Sequence, residues 1–300
     1  MKKMAVHSGS FHADDVFAVA LMQGIYNDLE IIRTRKDDEL KKCDIVADVG
    51  GGKYDHHCVD KKYRPDGIPY CAFGLLWQDF YKDYIEENFP KNQLNNEQLL
   101  QIKNQIALNF ITLIDAHDNG IDIVKSDYKI MTLPNVIDMF VPINTNIDEV
   151  NKAFFEAVKL AKKLLYSIVE KEIKYFDDFN YIKEQLEIQN PAESHILILN
   201  KKIGYKKALL ELDKKEDVLF VIFEDLSGKW MVQNVQISEQ SFVARKDLPK
   251  SWAGLNNEDL DKVTGVDGCV FCHPARFLCG NKTKEGAIEL AQIAVTTADN

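Results

Sequence analysis

Apolar positions along the chain follow two rhythms. Near the start, "MAV" is a short apolar run ending at Val6, and a His7-Ser-Gly turn follows it. "DDVFAVALMQGIY" (14–26) then repeats apolar residues at helical spacing, with Asp14 and Asp15 placed where carboxylates suit the helix dipole. "LEIIRTR" (29–35) and "CDIVADVGGG" (43–52) read as strands, the second buried and closed by a glycine turn. Strand, helix, strand in this order predicts a parallel sheet covered by helices. Residues 71–88 predict an aromatic-rich helix, and residues 95–120 a second one stopped by Asn119-Gly120. From Ile147 to Ile188 apolar residues recur every three or four positions, as one long helix or two in series. Asn190-Pro191 breaks that pattern, which places a boundary between a domain of residues 1–190 and a smaller α/β domain of residues 191–300. The latter opens on the strand "HILILN" (195–200). "VLFVIFED" (218–225) and "WMVQNVQI" (230–237) follow as a hairpin around Ser227-Gly228. "GCVFC" (268–272) is a further strand, and residues 284–295 form a closing helix.

Composition narrows the function classes. The 300 residues carry a net charge of −10, with 46% hydrophobic and 28% charged residues. Residues 191–300 hold 14 Lys and Arg against 16 Asp and Glu, so −8 of that charge falls on residues 1–190. An acidic balance argues against a protein that grips duplex nucleic acid through a broad basic face, but not against a phosphate-bearing substrate. With neither an apolar run long enough to span a bilayer nor a leader-like apolar segment at the start, the expected setting is cytoplasmic, with no membrane partner and the six cysteines mostly thiols.

The unusual polar residues lie close to strand and helix ends. His7 follows the first strand, with His12 and Asp14 just after it. Asp48 lies near the end of the buried strand, with Asp55, His56 and His57 seven to nine residues on. Asp115 ends an apolar helical run, with His117 and Asp118 beyond it. Parallel sheets gather ligand-binding groups outside the carboxyl ends of their strands, so at least two of these four segments are expected to converge. Taken singly, each admits a plainer explanation: loop histidines for His7 and His12, helix capping for Asp14 and Asp15, a helix-end acid for Asp115. Taken together, imidazoles and carboxylates without thiolates suit Mn²⁺, Mg²⁺, Fe²⁺ or Zn²⁺, and two such ions sharing a carboxylate would use most of the set. A metal pair of this kind hydrolyses phosphoesters or phosphoanhydrides.

These segments resemble the DHH phosphoesterase superfamily, and more closely its Myg-type family, named for a melanocyte proliferating gene product. The resemblance rests on "HSGSFHAD" (7–14), "RTR" (33–35), "CDIVADVGGGKYDHH" (43–57) and "FCHPARFLCGNKTKEGA" (271–287), and runs along the whole chain. It implies a parallel-sheet DHH-type catalytic domain with helical additions, a smaller C-terminal α/β domain over the substrate, and an active site in the cleft between them. It implies two divalent ions, Mn²⁺ foremost with Mg²⁺ or another divalent ion as alternatives, held by His7, His12, Asp14, Asp48, His56 and Asp115, with Asp48 bridging. His57 would face the phosphate, and Asp55 would orient its histidine neighbours. His273, Arg276, Asn281 and Lys282 would meet substrate phosphates. The activity implied is 3′→5′ exonucleolytic hydrolysis of RNA or short oligonucleotides. The alternatives are a hydrolase of a small phosphate compound, such as pyrophosphate or a cyclic dinucleotide, and a non-catalytic nucleotide-binding module; a homodimer stays open.

Three motifs mislead. "CVFCH" (269–273) fits the c-type haem signature but lies in an expected buried strand of a chain expected to be cytoplasmic. Cys269, Cys272, Cys279 and His273 have a spacing unusual for zinc, and "GGGK" (50–53) lacks the P-loop spacing.

Overall fold

A computed structural model of the protein describes residues 1–57, 60–92, 94–123, 125–143, 146–201 and 203–298. The chain is α/β and divides into two compact units, Met1–Ile173 and Lys174–Asn300.

The first unit is built on a parallel three-stranded sheet in the order β2-β1-β3. Strand β1 (Lys2–Val6) is central, pairing with β2 (Leu29–Arg33) through Val6 opposite Arg33 and with β3 (Ile45–Val46) through Ala5 opposite Val46. Met4, Ala5 and Val6 are fully buried, which is why the strand is a continuous apolar run rather than an alternating one. The parallel register brings the ends of β1 and β3 to one edge, so the residues that follow each strand emerge side by side. Helix α1 (Ala13–Ile25) is buried from Ala13 through Met22; Val16–Met22 is apolar on every face, as a fully buried helix must be, and Asp14 and Asp15 are the acids of its first turn. Its Phe17 ring packs on Phe73, from α3 (Ala72–Asn88), and on Phe110. The short α2 (Asp37–Leu40) lies between β2 and β3.

The expected helix over residues 95–120 is instead three pieces. Helix α4 (Asn96–Ile106) passes into a π-helical turn (Ala107–Ile111) and then α5 (Thr112–Asp118). One bond at the break is tertiary: the Ala107 carbonyl accepts from Arg64 Nη2 at 3.1 Å as well as from the Thr112 hydroxyl at 2.7 Å, bonds that a regular α-helical turn would compete for. Helix α6 (Leu133–Asp138) follows. Residues from Ile147 on form one helix, α7 (Ile147–Gln189), so the single-helix alternative holds.

The second unit centres on a five-stranded sheet in the order β4-β5-β6-β8-β7, parallel only between β4 (Ile196–Leu199) and β5 (Phe220–Glu224). The hairpin is present as β5 and β6 (Trp230–Asn234). Along β5, Phe220 and Ile222 enter one core with α10 (Lys284–Thr296), whereas Val221 and Phe223 enter another with α8 (Tyr205–Leu212) and Ile182 of α7. Both faces are covered, which explains the unbroken apolar run. Helix α9 (Asn257–Thr264) precedes β7 (Cys269–Cys272), which pairs with β8 (Leu278–Asn281). Sequence reading did not anticipate α8, α9 or β8. Among the described residues, no helix is long and apolar enough to cross a membrane.

Candidate metal centre

His7 directly follows β1, and Asp48 lies just past β3, so the sheet register alone makes them neighbours. Asp48 sits at φ 58°, in the left-handed region that non-glycine residues seldom adopt, and its N–H donates to the Tyr54 carbonyl at 3.0 Å. Gly50 and Gly51, at φ 82° and 70°, reverse the chain there. Asp55 then closes the turn. Its carboxylate accepts from the Gly51 N–H at 2.7 Å, the His57 N–H at 3.0 Å and His57 Nδ1 at 3.0 Å. The acid in "DHH" thus shapes the loop that carries the two histidines.

Around Asp48 the side chains converge. His7 Nε2 lies 3.1 Å from Asp48 Oδ2 and 3.4 Å from Asp15 Oδ2. His56 Nε2 lies 3.1 Å from Asp48 Oδ1, 2.9 Å from Asp118 Oδ2 and 3.7 Å from Asp14 Oδ2. His57 Nδ1 is 3.3 Å from Asp48 Oδ1. Three sets among the described residues can each hold a cation: Asp48, His56 and His57; His7, Asp15 and Asp48; His12, Asp14 and Asp118. Asp48 belongs to two of them. His12, exposed at the start of α1, donates its backbone N–H to Asp15 Oδ1 at 2.9 Å.

Asp14 is completely buried, and neither of its carboxylate oxygens has a hydrogen-bond partner. A bare carboxylate in the interior is costly unless something cationic meets it. Burial and the charges of Asp48, Asp118 and Asp15 push the Asp14 carboxyl well above its ordinary range. Burial likewise raises Asp15, to about 7, with His7 opposing. Asp48 is held below the usual carboxylate range, because the His56 and His7 bonds outweigh its burial. His56 is pushed up to about 10; burial works against its proton, but Asp118 and Asp48 hold it there. Four acids around two basic imidazoles, with protons filling in for missing positive charge, is the electrostatics of a cation site.

Asp115 joins none of these three sets. Its Oδ1 accepts the Cys71 N–H at 2.9 Å and its Oδ2 accepts Arg64 Nη1 at 3.0 Å, and Gly74 packs so closely on it that a Cβ there would collide with the carboxylate. Asp118, one turn further along α5, supplies the carboxylate that faces His56. No spacing signal separated the two acids; the deciding partner, Arg64, is remote in sequence.

The second unit contains the remaining expected residues. Arg276 donates to Asp247 Oδ2 at 2.9 Å. His273 Nδ1 accepts the Ala275 N–H at 3.1 Å, with its ring 4.4 Å from that of Phe277. Asn281 is fully buried: its Oδ1 accepts from the Thr283 N–H and hydroxyl, and its Nδ2 donates to the Asp267 carbonyl. It therefore organises the start of α10, where Thr283 caps the Gly286 N–H. Lys282 is exposed. Cys269, Cys272 and Cys279 are buried free thiols that join no metal-binding set among the described residues. A cavity of about 470 Å³ lined by Ile203, Tyr205, Phe223 and Gln233 includes none of the clustered histidines and aspartates.

Known proteins resemble the chain over nearly its whole length. It is 29% identical to a MYG1 protein of Schizosaccharomyces pombe, with 99% of this chain and 98% of the relative covered. It is 31% identical to a MYG1 protein of Dictyostelium discoideum, over 96% of this chain and 94% of the relative. It is 27% identical to the human MYG1 exonuclease, over 97% of this chain and 85% of the relative. No solved structure matches. Residues 3–295 match the MYG1 exonuclease family model, described as "Uncharacterised protein family (UPF0160)". By that match, which takes in both units and every residue of the histidine–aspartate cluster, the chain belongs to the MYG1 exonuclease family.

Proposed function

We propose that this protein is a metal-dependent phosphodiesterase of the DHH type, an exonuclease that removes nucleotides from the 3′ end of RNA or short oligonucleotides. The observation that carries the reading is Asp48, shared by two potential cation sets, beside the buried Asp14, whose oxygens accept no hydrogen bond. The exonuclease relatives support the class of reaction.

The donor set fits hard or borderline divalent ions, manganese foremost: carboxylates and imidazoles, with no thiolate among the described residues. His7, His12, Asp14, Asp15, Asp48, His56 and Asp118 would hold two such ions, with Asp48 between them. When bound, the ions supply positive charge that polarises a phosphoryl oxygen and lowers the pKa of water. The chain's own residues do the rest. Asp55 holds His57 through Nδ1, and with its proton on that nitrogen the ring presents Nε2 as a proton acceptor. The His57 side chain is 63% exposed and is the cluster's contact with a phosphate group. Asp115 and Arg64 form a buried brace that sets α5, and with it Asp118. Lys282 and His273 remain candidates for outlying substrate phosphates, whereas Arg276 and Asn281 serve the second unit's own structure.

The test is hydrolysis of 5′-labelled RNA of graded length, from dinucleotide upward, with Mn²⁺ or Mg²⁺. The expected result is stepwise shortening from the 3′ end, abolished by Asp48→Asn while the far-ultraviolet circular dichroism is retained. Activity confined to dinucleotides or pyrophosphate would replace the exonuclease reading with a small-substrate hydrolase, which the net charge of −10 also favours. No turnover of any of these substrates by the wild-type protein would leave a binding module.

A further inference from the structure

Three cations near the cluster, Arg33, Arg35 and Lys61, have no carboxylate within ion-pair distance among the described residues. Arg35, the second arginine of "RTR", is exposed and donates Nε–H to the Ser8 carbonyl at 3.2 Å. That same carbonyl lies 3.3 Å from His7 Nδ1, so one peptide oxygen separates the guanidinium from a cluster imidazole. Arg33, by contrast, is already committed: it donates to the Gly9 carbonyl and to Asn151 Oδ1, and stacks on the Phe154 ring at 4.4 Å. On the other side, Lys61 donates to Asn119 Oδ1 at 2.8 Å, and Asn119 directly follows Asp118.

Both tethers run to neutral acceptors, so each side chain is held in place with its charge unspent. A guanidinium anchored through Nε still offers its Nη donors, which suit bidentate binding of a phosphate. An ammonium on an amide oxygen likewise keeps donors free. In a chain of net charge −10, acids are plentiful, and two cations beside an acidic cluster that pair with none of them are oriented for an outside anion.

The geometry points to Arg35 and Lys61 as a clamp for the phosphates flanking the one at the cluster, which makes the preferred substrate a single strand with several phosphates rather than an isolated phosphate ester. This inference rests on the phosphodiesterase reading above. A lone ester would engage only the cluster and leave both cations idle. Arg35 is tethered beside His7 and Lys61 beside Asp118, so a strand that runs from one residue to the other would reach both.

The test is binding of a fluorescein-labelled uridine pentanucleotide by fluorescence anisotropy, across a series of KCl concentrations, with CaCl₂ occupying the oxygen-rich sites. For single strands, log K falls with log salt by roughly 0.7 per phosphate contact. Arg35→Gln and Lys61→Gln are each expected to weaken binding about tenfold at 0.1 M KCl and to make the slope shallower by up to about 0.7. Arg35→Lys is expected to keep the wild-type slope. A structural role would lower affinity without moving the slope. Unchanged slopes in both glutamine variants, or no measurable binding by the wild-type protein, would overturn the clamp. Cleavage lost in Asp48→Asn but slopes indifferent to Arg35 and Lys61 removes the clamp alone. Responsive slopes without any cleavage remove the chemistry alone.

Discussion

At the scale of single residues, the site is defined by a carboxylate that is costly to the fold. Asp14 is buried with neither oxygen accepting a hydrogen bond, so replacing it with a neutral isostere relieves the metal-free protein. Asp14→Asn is expected to raise the metal-free unfolding midpoint by a few degrees, about 1 kcal/mol being worth roughly 2–4 °C at this size, and to abolish the added stabilisation by Mn²⁺. Differential scanning fluorimetry with and without the ion measures both. A metal-free midpoint that falls, with the Mn²⁺ response kept, would mean that Asp14 is structural. The residue scale is also where sequence reading was least able to discriminate. His7, Asp48 and His56 could be picked out because strand ends and residue chemistry agree. Asp115 and Asp118 are three apart on one helix, and spacing treats them alike. Arg64, 51 positions away in sequence, takes Asp115 out of the cluster and leaves Asp118 for it.

At the scale of elements, that same arginine links a loop to a helical irregularity. Arg64 bonds Asp115 on α5 and the Ala107 carbonyl that the π-helical turn makes available. Arg64→Met would leave Asp115 buried without its cation, which typically costs about 3–5 kcal/mol. Chemical denaturation is expected to show a loss of that order; a loss under about 1 kcal/mol, no more than an ordinary exposed ion pair is worth, would refute the brace. The Arg64→Met, Asp115→Leu pair should recover most of it. Gly74→Ala tests the same contact from α3, since any Cβ there must displace the Asp115 carboxylate; overpacking of this kind costs about 1–3 kcal/mol. Long periodic elements were legible: α1, α7 and the β5–β6 hairpin fall where their apolar spacing puts them. The break at Ala107–Ile111 was not, because one of the bonds made there is tertiary. Strand β8 was missed because "LCGN" is four residues long, contains a glycine and follows a proline turn, and it is a strand only because β6 and β7 flank it.

At the scale of the whole molecule, the acids and imidazoles of the cluster link folding to protonation and, on the metal-dependent function proposed above, both to cation binding. Asp15 has its folded pKa raised to about 7, so its contribution to metal-free stability is fully present below its ordinary pKa of 3.8 and is lost as pH rises through about 7. His56, raised to about 10, contributes fully below 6.5 and loses that contribution as pH rises through about 10. Both shifts therefore make the metal-free protein less stable with rising pH, over windows that overlap near neutrality. A divalent ion reverses this, because it needs the carboxylate ionised and the imidazole neutral, and must displace the protons that stand in for it. Affinity for Mn²⁺ should accordingly climb from pH 5.5 to 8, by about tenfold per pH unit for each proton displaced. Titration calorimetry in two buffers of different ionisation enthalpy should register at least one proton released per protein. The stabilisation conferred at a fixed Mn²⁺ concentration grows with pH for the same reason, reaching about 2.7 kcal/mol once the free ion is a hundredfold above its dissociation constant. An affinity that stays flat across that range, with no buffer-dependent heat, would mean that the protons and the ion do not compete for the same oxygens and nitrogens. Asp15, Asp48, His7, His56 and Asp118 would then be an internally paired polar core that needs no cation.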